Sequence, residues 1–532
     1  MSLGYRTATG AIVALSKITS ERFVSDGAPT LKLSGREYAA MTTGRVLRAA
    51  QSHFEFPALS AGNVMRAGRA AVASDELAMV VGHKNFDVFE DGESHLLRMV
   101  YREMVLRLQP DVSPRQRNAL LKRHGLKLRA FNAFNHQQLV VYDNAKKRSG
   151  AELVELALEL GKLTELVFAT PNFISQYRRS ATATATSAAQ TLVPSSAQWH
   201  LARVRARQAW ALSKGKPAIT VAVLDDGVDV DHPELKANLR KKPDPAEPRD
   251  LLGRDFFMPD TDPDHFNPRP KRFQTPFDQM AGNDIHGTPC AGVAVGRGPR
   301  GFGLAPRCRL LPVKIFHADD LAADAQVADA IRYAGAFADV LSCSWSGSDS
   351  PDLASALADV ARTGRGGKGA VVVCATGNDS RQQVSYPARD PNCIGVGAST
   401  DADQLASYSN SGPEVWVVAP SNGGAKGIFT TDVATSGRGF NVGSAAAGGK
   451  DGLFTNTFGG TSSATPLVAG LAALMLSVDP QLTVAQVRQH LADSARKIGP
   501  AAGYDAQGHS PRFGHGCIDA LQALKLVKAA KS

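Results

Sequence analysis

Four short runs constrain this chain more than anything else in it: AITVAVLDDG (218–227), LSCSWSG (341–347), GAVVVCATGN (369–378) and CIGVGAS (393–399). Each is apolar almost without interruption and ends in a polar or glycine-rich turn, with helical patterns between them. A strand with one wet face alternates. These do not, so both faces are expected to be buried, as in a parallel sheet covered by helices. The fold class that follows is α/β, a three-layer, doubly wound, mostly parallel sheet. In such sheets ligands gather beyond the carboxyl ends of the strands, so the polar residues ending these runs should converge on one rim.

FGGTSSATPLVAGLAALML (458–476) turns through two glycines into an apolar helix and places Ser462 at its start. The unpaired N–H groups and the positive dipole end there favour a developing negative charge. Pro466 is expected in the first turn, where a missing N–H costs little. A lone serine in this position is most often a cap. Three rim segments change that reading: Asp225 closes the strand of AVLDDG, His286 opens a helix in NDIHGTPCAG, and Asn378 follows the strand of CATGN. A serine hydroxyl is a weak nucleophile near neutral pH; it needs a base, and that imidazole needs a carboxylate to fix its tautomer. The Asn378 amide and the N–H of Ser462 would serve the oxyanion. Each residue alone has an ordinary alternative as a turn or cap residue. The four together point to acyl transfer.

From Gln198 to about Val527 the chain resembles the subtilisin-like serine peptidases (subtilases, family S8). VAVLDDGVDVDHPEL, HGTPCAG, ATGN and GTSSATP match that family's Asp, His, oxyanion Asn and Ser motifs. The resemblance implies that Asp225, rather than Asp226, orients the imidazole, that His286 is general base and then acid, that Ser462 is the nucleophile, and that Asn378 donates to the oxyanion. DDG, HGTxCAG and SCSW lean towards the kexin/furin-like branch. Ser344, Trp345, Gly347 and Asp349 would then line the substrate cleft, with Asp349 either favouring a basic P1 side chain or lying in a solvated loop. In the same branch DFFMPDTDPDHF resembles a calcium loop, with Asp260, Asp262 and Asp264 as ligands; the alternative is an acidic surface turn. A second calcium site usual in the family is expected to be lost, with Arg297 pairing with Glu234 in place of the ion. No cofactor is expected for catalysis.

Residues 97–178 read as β-α-β-β-α-β, the split βαβ order of ferredoxin-like α+β domains, with Ser113 and Pro114 opening the first helix and Gly125 closing it. Ahead of a subtilase core this segment, ending FATPNFISQYRR, resembles the family's inhibitory propeptide, an intramolecular inhibitor removed by self-cleavage near Tyr177, Arg178 and Arg179. Cleavage after the arginines would suit a basic S1 pocket, and cleavage after Tyr177 an apolar one. The expected organisation is 1–96 of unknown role, 97–178 propeptide, 179–197 a Ser/Thr/Ala-rich linker, and 198–530 catalytic domain. The function implied is a self-processing serine endopeptidase acting on proteins or peptides; the alternative is a permanently inhibited or non-catalytic regulatory module.

The formal net charge of +10 is dispersed among acidic residues with no aromatic-basic module, so no nucleic-acid partner is expected. The start lacks a secretory leader pattern and no uninterrupted apolar run suggests a membrane span, so a cytoplasmic location is expected, with secretion as the alternative. Cys290, Cys308, Cys343, Cys374, Cys393 and Cys517 lack metal spacing and read as buried free thiols.

Overall fold

The computed structural model describes residues 3–7, 9–17, 86–132, 135–144, 148–179, 198–241, 253–257, 266–271, 284–316, 321–434 and 439–531. Alternate residues of the strand Thr220–Asp225 enter two different cores: Val221 and Val223 face one, Ala222 and Leu224 the other. That is why the run shows no polar alternation. It is the third of seven strands, in the order Arg254–Asp255, Arg309–Lys314, Thr220–Asp225, Val340–Cys343, Val371–Ala375, Cys393–Ser399 and Val415–Pro420. Every pairing in this sheet is parallel. Helices Gly287–Val295, Thr461–Val478 and Ala520–Lys531 cover one face, and Asp324–Phe337 and Pro351–Gly367 the other. The strand order reverses around Thr220–Asp225, and Asp225 is its last residue.

The helix Thr461–Val478 has the length and apolar character of a membrane span, yet 94% of it is buried inside the protein. It is apolar on all sides because it runs through the core. Pro466 is not in its first turn, as expected, but lies further inside. A proline there removes the N–H that would bond the carbonyl four residues earlier, which is that of Ser462. Ser344 Oγ donates to that carbonyl instead, at 3.1 Å.

The N-terminal residues form two further layers. Strands Leu126–Phe131, Gln138–Asp143, Glu103–Leu108 and Leu166–Pro171 make an antiparallel sheet in that order, carrying helices Pro114–Arg123 and Gly150–Leu160. Ser113 caps the first helix in a reciprocal capping box with Gln116, and Gly125 follows its end at φ +66°. This layer meets the helices Asp324–Phe337 and Pro351–Gly367 through buried polar contacts: Gln138 donates to Asp352 at 2.7 Å, and Arg332 donates to Gln138 at 2.8 Å.

The second layer is a six-stranded antiparallel sheet: Gly4–Arg6, Ile12–Lys17, Phe86–Asp91, Leu97–Tyr101, Ile174–Gln176 and Leu321–Ala323. Three of its strands come from the stretch before residue 97, for which the sequence offered no role. Arg98 pins the layer down. Its guanidinium is fully buried, bonds the Asp324 carboxylate and the Asp349 carbonyl (2.9 Å), and lies over Tyr5 (4.4 Å) and Phe173 (3.8 Å). Removing one partner of a buried ion pair leaves the other charge uncompensated. Arg98→Ala should therefore lower the unfolding free energy by about 3 kcal/mol in urea titrations of a Ser462→Ala background, with Arg129→Ala, a half-exposed arginine, as a milder control.

Candidate active site

Two aspartates side by side end the central strand, and each has a separate task. Asp225 accepts a hydrogen bond from the His286 ring at Nδ1, which lies 2.8 and 3.0 Å from its two carboxylate oxygens. Asp226 accepts the backbone N–H groups of Ile285 (3.0 Å), His286 (3.0 Å) and Gly287 (2.8 Å) at the N-terminus of the helix Gly287–Val295. A carboxylate suits the unpaired donors and positive dipole end of that helix. Gly287 makes the close approach possible: a Cβ there would sit 2.2 Å from the Gly227 carbonyl oxygen.

The helix Thr461–Val478 brings Ser462 to the same rim through Gly460, whose φ of +76° turns the chain sharply into the helix. Ser462 Oγ donates to the Ser344 carbonyl at 3.0 Å, and His286 Nε2 has no hydrogen-bond partner among the described residues. Both side chains are buried. Asn378 Oδ1 accepts from Thr461 N and Thr461 Oγ1, both at 2.9 Å. Held there by its oxygen, the planar amide directs its NH2 group away from Thr461. Asp225, His286, Asn378 and Ser462, dispersed over more than two hundred residues, are thus brought to one rim. Cys290, one helical turn beyond His286, donates its thiol to the Ser462 carbonyl at 3.7 Å. All six cysteines are free and buried.

The cleft holds a segment of the chain itself. Ile174–Gln176 pairs antiparallel with Leu321–Ala323, and Arg178–Arg179 pairs antiparallel with Trp345–Ser346. Tyr177 is fully buried between Phe316 and Trp345, over Gly347. Arg178 is half exposed and meets Asp379 at 3.3 Å; Arg179 reaches the Asp226 carboxylate at 3.2 Å. Of the expected cleft residues, Ser344, Trp345 and Gly347 line it. Asp349 does not open into it: its carboxylate is bound by Arg389, which also pairs with Glu93 of the N-terminal layer. That guanidinium already neutralises the charge expected to attract a basic side chain.

Asp260, Asp262 and Asp264 lie outside the described residues. The Glu234 region differs from expectation. Arg297 is exposed, bridges Phe302 and donates its backbone N–H to the Glu234 carbonyl at 2.7 Å. The Glu234 carboxylate instead takes the Arg300 backbone N–H at 3.3 Å, while the Arg300 guanidinium pairs with Asp451. One oxygen of this carboxylate thus meets a backbone N–H, and the other, Oε2, is buried without a hydrogen-bond partner among the described residues. Burial pushes the Glu234 carboxyl above its usual range.

The subtilase family model matches residues 216–516, spanning all four rim residues and the whole parallel sheet. The chain belongs to the subtilase family. This subtilase is 32% identical over 448 residues to the calcium-dependent protease of Trichormus variabilis, covering 77% of this chain and 61% of that protein. It is 31% identical over 325 residues to halolysin of Haloferax mediterranei, covering 60% and 52%, and 30% identical over 306 residues to subtilisin BL of Lederbergia lenta, covering 57% and 93%. The chain thus spans 61% of the length of the calcium-dependent protease it matches.

Sequence reading set Asp226 aside as the lesser of the two aspartates; the paired DD after a buried strand was the available signal for a second buried carboxylate. Burial, with Asp225 adding to it, pushes the Asp226 carboxyl up to about 7, while Arg179 pulls it down. Arg179 therefore lowers this pKa relative to a cleft without it. Its contribution to holding the tail is complete above the arginine-free value and is lost as pH falls through about 7. In a Ser462→Ala chain, cutting of the tail by an added protease should speed up between pH 8 and pH 6, and Arg179→Gln should flatten that dependence.

Proposed function

We propose that this chain is a serine endopeptidase made as a zymogen, with the N-terminal layers as an intramolecular inhibitor. The observation that carries this reading is the tail Ile174–Arg179, seated by strand pairing on both walls of a cleft that ends at Ser462 and His286. In the reaction Ser462 Oγ attacks the substrate carbonyl carbon as its proton passes to His286 Nε2, and the Asp225 carboxylate stabilises the imidazolium. The oxyanion accepts from the Asn378 amide and the Ser462 N–H. His286 then protonates the leaving amine, and water repeats the sequence on the acyl-enzyme. The strand order of the sheet over 103–171 supports the reading of a ferredoxin-like propeptide. Free buried thiols support a reducing, cytoplasmic location.

The register of Arg178 and Arg179 on Ser346 and Trp345 runs towards Ser344, whose carbonyl holds Ser462 Oγ. This supports cleavage beyond Arg179 rather than at Tyr177 or between the arginines. It also moves the support for a basic preference from Asp349 to Asp226, which holds the arginine side chain. Purified wild type should yield a new N-terminus beyond residue 179 by intact mass and N-terminal sequencing, while Ser462→Ala stays whole; full-length wild type under the same conditions would overturn the self-processing reading. Asn378→Ala should slow processing by roughly 10² to 10³ without unfolding the protein.

One observation favours the second reading, a lastingly inhibited module. The strands before residue 102 add to the sheet that grips the tail, so a cut propiece would remain strand-paired to the enzyme. Co-elution of both fragments with no activity on added peptides would select it.

Calcium is proposed as a structural ion held by Asp260, Asp262 and Asp264, supported by the likeness to calcium-dependent proteases. Millimolar calcium should raise the thermal midpoint by several degrees, as expected for a ligand that binds only the folded state. Changing the three aspartates together to asparagine should remove that shift, and Glu234→Gln should leave it intact.

A further inference from the structure

Ser462 stands two residues beyond Gly460, and the conformation of that glycine decides where the nucleophile and its neighbours point. Gly460 has φ +76° and ψ 176°, a combination that a side chain disfavours and that a glycine, left free, exchanges readily for others. Both peptides that flank it are held by side chains. Its N–H donates to Asn422 Oδ1 at 2.9 Å, and its carbonyl accepts from Ser421 Oγ at 2.7 Å. The Asn422 amide lies against Gly459, where a Cβ would come 1.8 Å from Asn422 Cγ. Behind these groups the Tyr408 hydroxyl donates to Asn422 Oδ1 at 2.6 Å and lies 2.9 Å from Ser421 Oγ, which also accepts from Ser463 Oγ at 2.8 Å.

The Gly460 carbonyl and the Thr461 N–H are the two ends of one planar peptide, so holding the first aims the second. Thr461 N–H donates to Asn378 Oδ1 at 2.9 Å, and Asn378 is the residue whose amide serves the oxyanion in the reaction above. A path of hydrogen bonds thus runs from Tyr408 through Asn422 and Ser421 to the Gly460 turn and on to the Asn378 amide. A donor stabilises an oxyanion most when it is already in place before the charge develops. Every group on this path lies within residues 378–463, so the path remains when the N-terminal layers leave.

We propose that Ser421 and Asn422, tied together by the Tyr408 hydroxyl, are positioning residues for the oxyanion donor Asn378, acting through the Gly460 turn. This rests on the endopeptidase reading above. Neither side chain touches the substrate in this role. Ser421 fixes the peptide after Gly460 and Asn422 the peptide before it, which leaves the glycine one conformation.

The test is the first-order rate of self-cleavage, followed by intact mass. The tail is already seated against Leu321–Ala323 and Trp345–Ser346, so this rate reads the chemical step rather than substrate binding. Ser421→Ala should slow it by about tenfold or more, and Tyr408→Phe, which removes one hydroxyl and keeps the ring, by severalfold. In an Asn378→Ala background, where the amide that the network aims is gone, each of the two changes should slow cleavage by less than about twofold. A merely structural role would lower the thermal midpoint and slow cleavage by the same factor in both backgrounds. That outcome overturns the inference, as does a Ser421→Ala or Tyr408→Phe chain that cleaves at the wild-type rate. Tyr408→Phe decides the matter where Ser421→Ala fails to fold. Absence of Ser462-dependent cleavage in the wild-type chain overturns the self-processing endopeptidase reading and this inference with it.

Discussion

Everything at the rim depends on two carboxylates placed next to each other at the end of one buried strand. Asp225 and Asp226 are both essentially without solvent contact, and like charges this close are tolerated because each is matched by a different set of donors. Asp225 has the His286 ring and the Asp226 N–H; Asp226 has three backbone N–H groups of the adjoining helix and Arg179. The second aspartate positions the helix, the helix positions His286, and the first aspartate fixes which way the ring faces. A substitution at either is felt at Ser462 without touching it.

The cleft binds the tail Ile174–Arg179 through two kinds of contact. Its tail uses main-chain pairing on both sides, a form of recognition indifferent to sequence, and adds two side-chain contacts that are not: Tyr177 in its slot and Arg179 on Asp226. The N-terminal strands extend the same sheet outward, and the cost of burying Arg98 is offset by Asp91, Asp324 and two aromatic faces. Because Asp324 is shared between Arg98 and Tyr177, the outer layer and the tail are coupled through a single carboxylate.

Much of this was legible before any coordinates. Continuous apolar runs required a sheet buried on both faces, and Val221 to Leu224 enter alternate cores as that demands. The rim residues were legible because each follows a strand or opens a helix, positions where backbone geometry fixes a side chain's direction. Pro466 was misplaced because a proline inside a buried helix is tolerated only when another donor takes the freed carbonyl, and Ser344 lies 118 residues away from Ser462. Asp349 was left between two readings for a similar reason: its partner Arg389 comes from another segment, and no local pattern announces an ion pair.

The sequence by itself determined the layered α/β architecture, the four residues of the rim and the antiparallel sheet ahead of them, because these follow from hydrophobic period, turn chemistry and motif spacing. Only the tertiary structure decided what the second aspartate does, which carboxylate meets which arginine, and that Tyr177 occupies a slot closed by Asp324. Those outcomes depend on contacts between residues about 40 to 250 apart, where desolvation makes the pairing of every buried charge compulsory without specifying, from composition alone, which partner will be nearest.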